Sequence, residues 1–238
     1  MLRGLRTLLL LLLFQPPGAA SAEALRVAVA ANFRATAEAM ADMYRASGAG
    51  EIVISSASTG VLAAQLRAGA PFDLLLAADA ERPLALHRDG LAAEEPVCYA
   101  VGELVLLGGD DIESTLSAAD TALAIANPAT APYGAAAAAV LERPPFSAVS
   151  QRRLLRGSNV LQAYQYFASG AVDAALVARS LSPDAGIPIP GDWHPPIEQF
   201  ALVSARSSRA ERAQAFLDFL RGDHAAAMLP ARGYQPCS

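Results

Sequence analysis

After residue 22 the chain alternates short apolar runs with amphipathic stretches. The run 25–31 (LRVAVAA) predicts a buried strand, and 33–46 predicts a helix with Phe33, Ala37, Met40 and Tyr44 on one face, stopped by Gly48 and Gly50. A strand over 52–55, a short helix over 61–67, a strand over 72–77 (FDLLLA) and a helix over 81–88 continue the alternation. A second series runs through a strand at 122–126, an alanine-rich helix at 134–141, a helix at 161–169 and a strand at 174–177. Two other runs differ in kind. The stretch 98–107 (CYAVGELVLL) is long and only half alternating, which fits a strand passing between two units. The run 197–203, after a loop marked by Pro188, Pro190, Pro195 and Pro196, is a second candidate of that kind. Helices at 209–220 and 224–229 close the pattern. Strand–helix alternation of this sort predicts an α/β architecture with mostly parallel sheet.

The first 22 residues follow a different logic. Arg3 and Arg6 precede the run Leu8–Phe14, then Pro16, Pro17 and Gly18, and the segment closes on Ala20-Ser21-Ala22. A basic start, a short apolar middle and a small-x-small end describe a secretory signal peptide over 1–22, and the apolar run is about half the roughly 20 residues a spanning helix needs. An exported chain is therefore expected. The two cysteines, Cys98 and Cys237, then read as one disulfide closing a long loop, with two free thiols as the alternative.

Composition narrows the function. All 18 basic residues are Arg against 23 Asp+Glu, for a formal net charge of −5. With no Lys there is no Walker P-loop and no Schiff-base lysine, and the acidic balance speaks against a nucleic-acid partner. His87, His194 and His224 are far apart and in no metal-ligand spacing, and no CxxC, HExxH, GxSxG or GxGxxG occurs. Asp73 and Asp79 flank the third strand, where a catalytic pair is conceivable, but capping or turn duty fits their helix-start context better. No enzymatic activity, cofactor or direct metal ligand is expected.

A recurring junction is more informative. A buried strand repeatedly runs into small, hydroxyl or amide residues and a helix starts at once: Ala30-Ala31-Asn32, Ser56-Ala57-Ser58-Thr59-Gly60, Asn127 through Gly134, and Ser158-Asn159-Val160. Each alone reads as an N-cap worth about 1 kcal/mol. As a set they admit a second reading. Helix N-termini at the carboxyl ends of parallel strands face one crevice, each with free N–H donors and about half a positive charge. Together they would form an anion site without a basic side chain.

The motifs VAVAANF (27–33), SSASTGVLAAQLRAGAPFDLLLAADA (55–80), ANPATAPYG (126–134), GSNVLQAY (157–164) and FLDFLRGDHAAAMLPARGY (216–234) resemble the periplasmic molybdate-binding proteins of ABC transporters, over essentially all of 25–234. The resemblance implies a type II periplasmic binding protein fold: two lobes, each a mostly parallel sheet flanked by helices, joined by two crossing strands. Lobe 1 would comprise 23–99 plus 201–238, and lobe 2 would comprise 100–200. That division returns the C-terminus to the hinge near Cys98 and so favours the Cys98–Cys237 bridge. The oxyanion would be held by the backbone N–H groups of Asn32, Thr59, Tyr133 and Val160 and by the side chains of Asn32, Ser58 or Thr59 and Tyr133, with Ala31 beside them. In some relatives a further Tyr hydroxyl comes from the position of Ala178 here, a departure that Tyr133 can offset from the other wall. The implied function is high-affinity binding of molybdate and tungstate in the periplasm by a monomer that delivers the ion to ABC permease subunits. The rival readings are a receptor for another oxyanion such as sulfate, and an exported α/β hydrolase.

Overall fold

The computed structural model describes residues 23–149 and 151–237, so residues 1–22, where the sequence predicts a signal peptide, lie outside the described residues. The first units alternate as β1 (Leu25–Ala30), α1 (Arg34–Ala46), β2 (Ile52–Ala57), α2 (Thr59–Arg67), β3 (Leu74–Leu76) and α3 (Glu81–Arg88). They are followed by β4 (Val97–Gly102), β5 (Leu104–Leu107), α4 (Ile112–Ser117), β6 (Leu123–Ala126), α5 (Pro132–Leu141), β7 (Leu154–Gly157) and α6 (Val160–Ala168). The chain ends through β8 (Ala174–Ala178), β9 (Ile187–Pro188), β10 (Ile197–Val203), α7 (Ala210–Arg221), α8 (Asp223–Met228) and β11 (Tyr234–Gln235).

Two sheets result, in the orders β11-β4-β10-β3-β1-β2 and β7-β6-β8-β5-β9. In the first, β1 pairs in parallel with β2 and β3, while β10 runs antiparallel to β3 and β4 and β11 antiparallel to β4. In the second, β6 pairs in parallel with β7 and β8, and β5 runs against β8 and β9. Each sheet thus has a parallel centre of βα units and returning strands at one side. Strands β3, β5, β6 and β8 are buried along their whole length, as continuous apolar runs covered on both faces must be. The two faces of the first sheet carry separate cores. Val27, Val29, Leu74 and Leu76 pack with Phe33, Met40 and Phe216 on one side, and Ala28, Leu75 and Leu202 with Leu62, Leu66 and Leu86 on the other. A third core belongs to the second sheet.

The stretch 98–107 resolves into two strands separated by Glu103, with β4 in the first sheet and β5 in the second. The tail folds back on β4 with Tyr234 opposite Gly102 and Gln235 opposite Val101, and two residues further Cys237 is bridged to Cys98, their Cα atoms 6.2 Å apart. Of the two readings of the cysteines, the disulfide is the one present. Strands β7, β9 and β11 and helix α4 were not anticipated from the sequence.

Candidate anion-binding site

The four junctions meet. Ala31, Asn32, Ser58, Thr59, Tyr133 and Val160 all line one hollow of about 10 Å³, together with Ala30, Ala78, Ala131, Pro132 and Asn159. Each is buried, with Asn32 at 3 %, Thr59 at 0 %, Tyr133 at 1 % and Val160 at 3 % exposure. Apart from the Tyr133 phenol, nothing in that lining can ionise.

The capping reading of these junctions is tested directly by the helix starts. Only α6 is capped by its side chain: Asn159 Oδ1 accepts from Gln162 N at 3.0 Å. Helix α2 starts after Ser58, which occupies the N-cap position but makes no cap bond. Helices α1 and α5 start after Phe33 and Ala131, also without side-chain caps. A helix leaves its first N–H groups without intrahelical acceptors. Among the described residues, the backbone N–H groups of Asn32, Thr59, Tyr133 and Val160 donate to no protein acceptor, although their neighbours do, as with Ala31 N to Ala57 O and Gly60 N to Thr130 O. Buried N–H groups are normally paired, so four unpaired ones around one hollow need a partner that is not protein.

The hydroxyls tell the same story. Ser58 Oγ is buried and has no hydrogen-bond partner among the described residues. Thr59 Oγ1 accepts from Ala78 N at 2.9 Å, which leaves its own proton free to donate. Tyr133 Oη accepts a long bond of 3.4 Å from Gln199 Nε2. Burial, more than any neighbour, pushes the Tyr133 phenol well above its usual range, so it stays protonated and can donate.

Asn32 differs from its expected role in one respect. Its side chain does not serve as a donor to the hollow, because Nδ2 donates to Gln199 Oε1 at 3.0 Å and to Tyr234 Oη at 3.2 Å. What Asn32 offers is its backbone N–H. The partner, Gln199, lies on β10 with no exposure and anchors a polar network at the strand junction. Its Oε1 also accepts from Tyr99 Oη at 3.3 Å. The β4–β10 register slips beside Gln199 and leaves Tyr99 out of the one-to-one pairing, a bulge of the kind that re-aims side chains. Gly102 makes room for this network, since a Cβ there would sit 2.0 Å from Tyr133 Oη and 2.7 Å from Gln199 Nε2. The sequence reading missed Gln199, Tyr99 and Tyr234. They lie far from the junction motifs, and no local pattern marks them.

The units of the two sheets touch across the hollow through Gly60 N to Thr130 O at 2.8 Å, Arg82 Nη2 to Ala129 O at 3.1 Å and Ser180 Oγ to Asn32 O at 3.0 Å. The two acidic candidates, Asp73 and Asp79, have fold duties. Asp73 accepts from Arg26 N at 2.7 Å, Ser207 Oγ at 2.6 Å and Arg209 Nε at 3.0 Å. Burial alone would raise its pKa, but these hydrogen bonds and the guanidinium together hold it below the usual carboxylate value. Asp79 accepts from Arg82 N at 2.9 Å at the start of α3. Arg34 turns along its helix to Glu38 at 2.8 Å. A roomier cavity of about 560 Å³ is a poor anion host, since Glu103 lines it and Arg179, its cation, is already paired with that carboxylate at 3.0 Å. Among the described residues no group of three or more His, Cys, Asp or Glu is placed to hold a metal ion.

Comparison with known proteins agrees with this geometry. The profile of the bacterial extracellular solute-binding proteins matches residues 25–235. The molybdate-binding protein ModA of Azotobacter vinelandii is 36 % identical over 91 % of both chains, and that of Rhodobacter capsulatus 32 % identical over 87 % of this chain and 86 % of its own. The solved Azotobacter vinelandii periplasmic molybdate-binding protein superposes with a TM-score of 0.84 at 31 % identity, covering 90 % of this chain and all of the other. The chain belongs to the bacterial extracellular solute-binding protein family, in its group of ModA-type molybdate-binding proteins.

Proposed function

We propose that the protein binds molybdate, and tungstate, as the intact oxyanion outside the cytoplasm and hands it to the permease of an ABC transporter. Residues 1–22 would direct export. The two sheets with their helices would act as the two lobes, divided at Glu103 between β4 and β5 and again between β9 and β10, a few residues from the expected 99/100 and 200/201, and would work as a monomer. The carrying observation is the buried, unpartnered Ser58 hydroxyl at the N-terminus of a helix it does not cap. Around it stand the four N–H groups of Asn32, Thr59, Tyr133 and Val160 and the protons of Thr59 and Tyr133, with Ala31 as part of the wall.

A tetrahedral dianion offers four oxygens to these donors. Hydrogen bonds to a charged acceptor contribute about 1.5–3 kcal/mol each. Six of them reach about 9–18 kcal/mol gross, before desolvation and lobe closure, so micromolar to nanomolar affinity is within range. A cage built of donors favours a fully deprotonated ion and disfavours hydrogen phosphate, whose O–H would find no acceptor. Sulfate carries the same charge on a smaller tetrahedron, so only the size of the cage can reject it.

Thermal melts with each anion test the reading. A ligand that binds only the folded state stabilises it by RT ln(1 + [L]/Kd), about 4 kcal/mol at a thousandfold excess over Kd. Molybdate and tungstate should raise Tm strongly, and sulfate and phosphate should not. An equal shift with sulfate would make the protein a general oxyanion receptor, and no shift with any of the four would remove the function.

A further inference from the structure

We propose that Tyr234, held in place by the Cys98–Cys237 bridge, is a positioning residue of the anion site that orients Asn32 through its phenol. The proposal rests on the oxyanion-binding reading above and goes beyond it by making the C-terminal strand part of the binding apparatus.

Tyr234 Oη is bonded to Asn32 twice. It donates to the Asn32 carbonyl at 2.8 Å and accepts from Asn32 Nδ2 at 3.2 Å. One buried hydroxyl therefore grips both the backbone and the side chain of the residue whose N–H faces the hollow. The ring is fixed as well, edge-on to Phe33 with centroids 5.1 Å apart. Burial is the main cause that raises this phenol's pKa, so the donated proton stays in place.

The strand that carries Tyr234 is weak on its own. β11 is two residues long and pairs with β4 only at Gly102 and Val101. A left-handed Gly233, with φ of 76°, turns the chain into it, and a Cβ there would meet Arg179 Cγ at 2.9 Å. Beyond Gln235 the tail is tied down by Cys237 on Cys98 of the neighbouring strand. A ladder of only two residues gives little hold by itself. The bridge closes it from the far side and so keeps the phenol on Asn32. A purely structural disulfide would stabilise the fold and leave the site indifferent to its loss. This bridge should be felt in ligand affinity as well.

The test compares wild type, Tyr234→Phe, the pair Cys98→Ser/Cys237→Ser, and all three substitutions together, by molybdate calorimetry and by amide hydrogen exchange without ligand. Loss of a hydrogen bond of ordinary strength should raise Kd by about 2- to 10-fold in Tyr234→Phe. The serine pair should show a loss of similar size, and the triple variant little more than either, because both changes act through one hydroxyl. Exchange over residues 27–33 should speed up in both variants. The proposal is overturned if Kd and exchange over 27–33 stay at wild-type values while only Tm falls, or if the two losses multiply in the triple variant. Tyr234→Phe keeps the bridge, so it decides the role of the phenol even if the serine pair fails to fold. Should wild type bind no oxyanion, the transport reading fails on its own, while the exchange measurement still decides whether Tyr234 and the bridge hold Asn32.

Discussion

The starts of α2 and α6 border the same hollow, and both begin after a small polar residue suited to capping. Asn159 does what that residue type does at a helix start, and its carboxamide satisfies Gln162 N. Ser58 stands at the equivalent position of α2 with its hydroxyl buried and unpaired. An unsatisfied buried hydroxyl is destabilising unless something else binds it. The contrast separates a residue that serves the fold from one that serves a ligand, although the two look alike in sequence. It also shows why a set of N-cap-like motifs cannot be interpreted from composition alone: three of the four helix starts at this site carry no side-chain cap.

The comparison can be broken most directly at Ser58. Ser58→Ala should raise the Kd for molybdate by about 10- to 100-fold, the loss of one bond to a charged acceptor, without lowering Tm in the ligand-free protein. If Tm falls and affinity holds, Ser58 is a fold residue after all. Tyr133→Phe should weaken binding by about tenfold on the same grounds and leave the secondary structure intact by circular dichroism. Unchanged calorimetric affinity would take the phenol out of the cage. Asn159→Ala should do the reverse of Ser58→Ala. Loss of a cap costs about 1 kcal/mol, so Tm should drop by about 2–4 °C in a protein of this size, with Kd little altered.

The smallest effect on binding is expected at Asp73, which is outside the lining of the hollow and serves the fold. Its native pKa is depressed, so the stability it contributes is fully present above the ordinary carboxylate value of 3.8 and fades as pH falls through the lower native value. Melts of wild type and Asp73→Asn should therefore differ at neutral pH and converge toward pH 3. A gap that widens in acid would reverse the assigned direction.

The α/β order of the chain was legible because its central strands are buried on both faces and stand out as unbroken apolar runs. The elements that escaped are those whose existence is tertiary. β7 (LLRG) is a half-exposed edge strand, α4 is a six-residue helix closed by Asp111, and β11 is two residues zipped onto β4 by the bridge. The site divides in the same way. Its backbone donors sit in short strand-to-helix junctions, a local signal. The Asn32–Gln199 and Asn32–Tyr234 bonds join residues 167 and 202 positions apart, and nothing local announces them. For that reason the sequence assigned the Asn32 carboxamide to the ligand, whereas the folded chain gives it to the protein.

The uncharged lining of the hollow also bears on how quickly an ion arrives. A chain of net charge −5 offers a dianion no long-range attraction, only grip at contact. Where a basic funnel would lose speed in brine, here dissolved salt damps the repulsion over a Debye length of about 8 Å at 0.15 M and quickens the encounter.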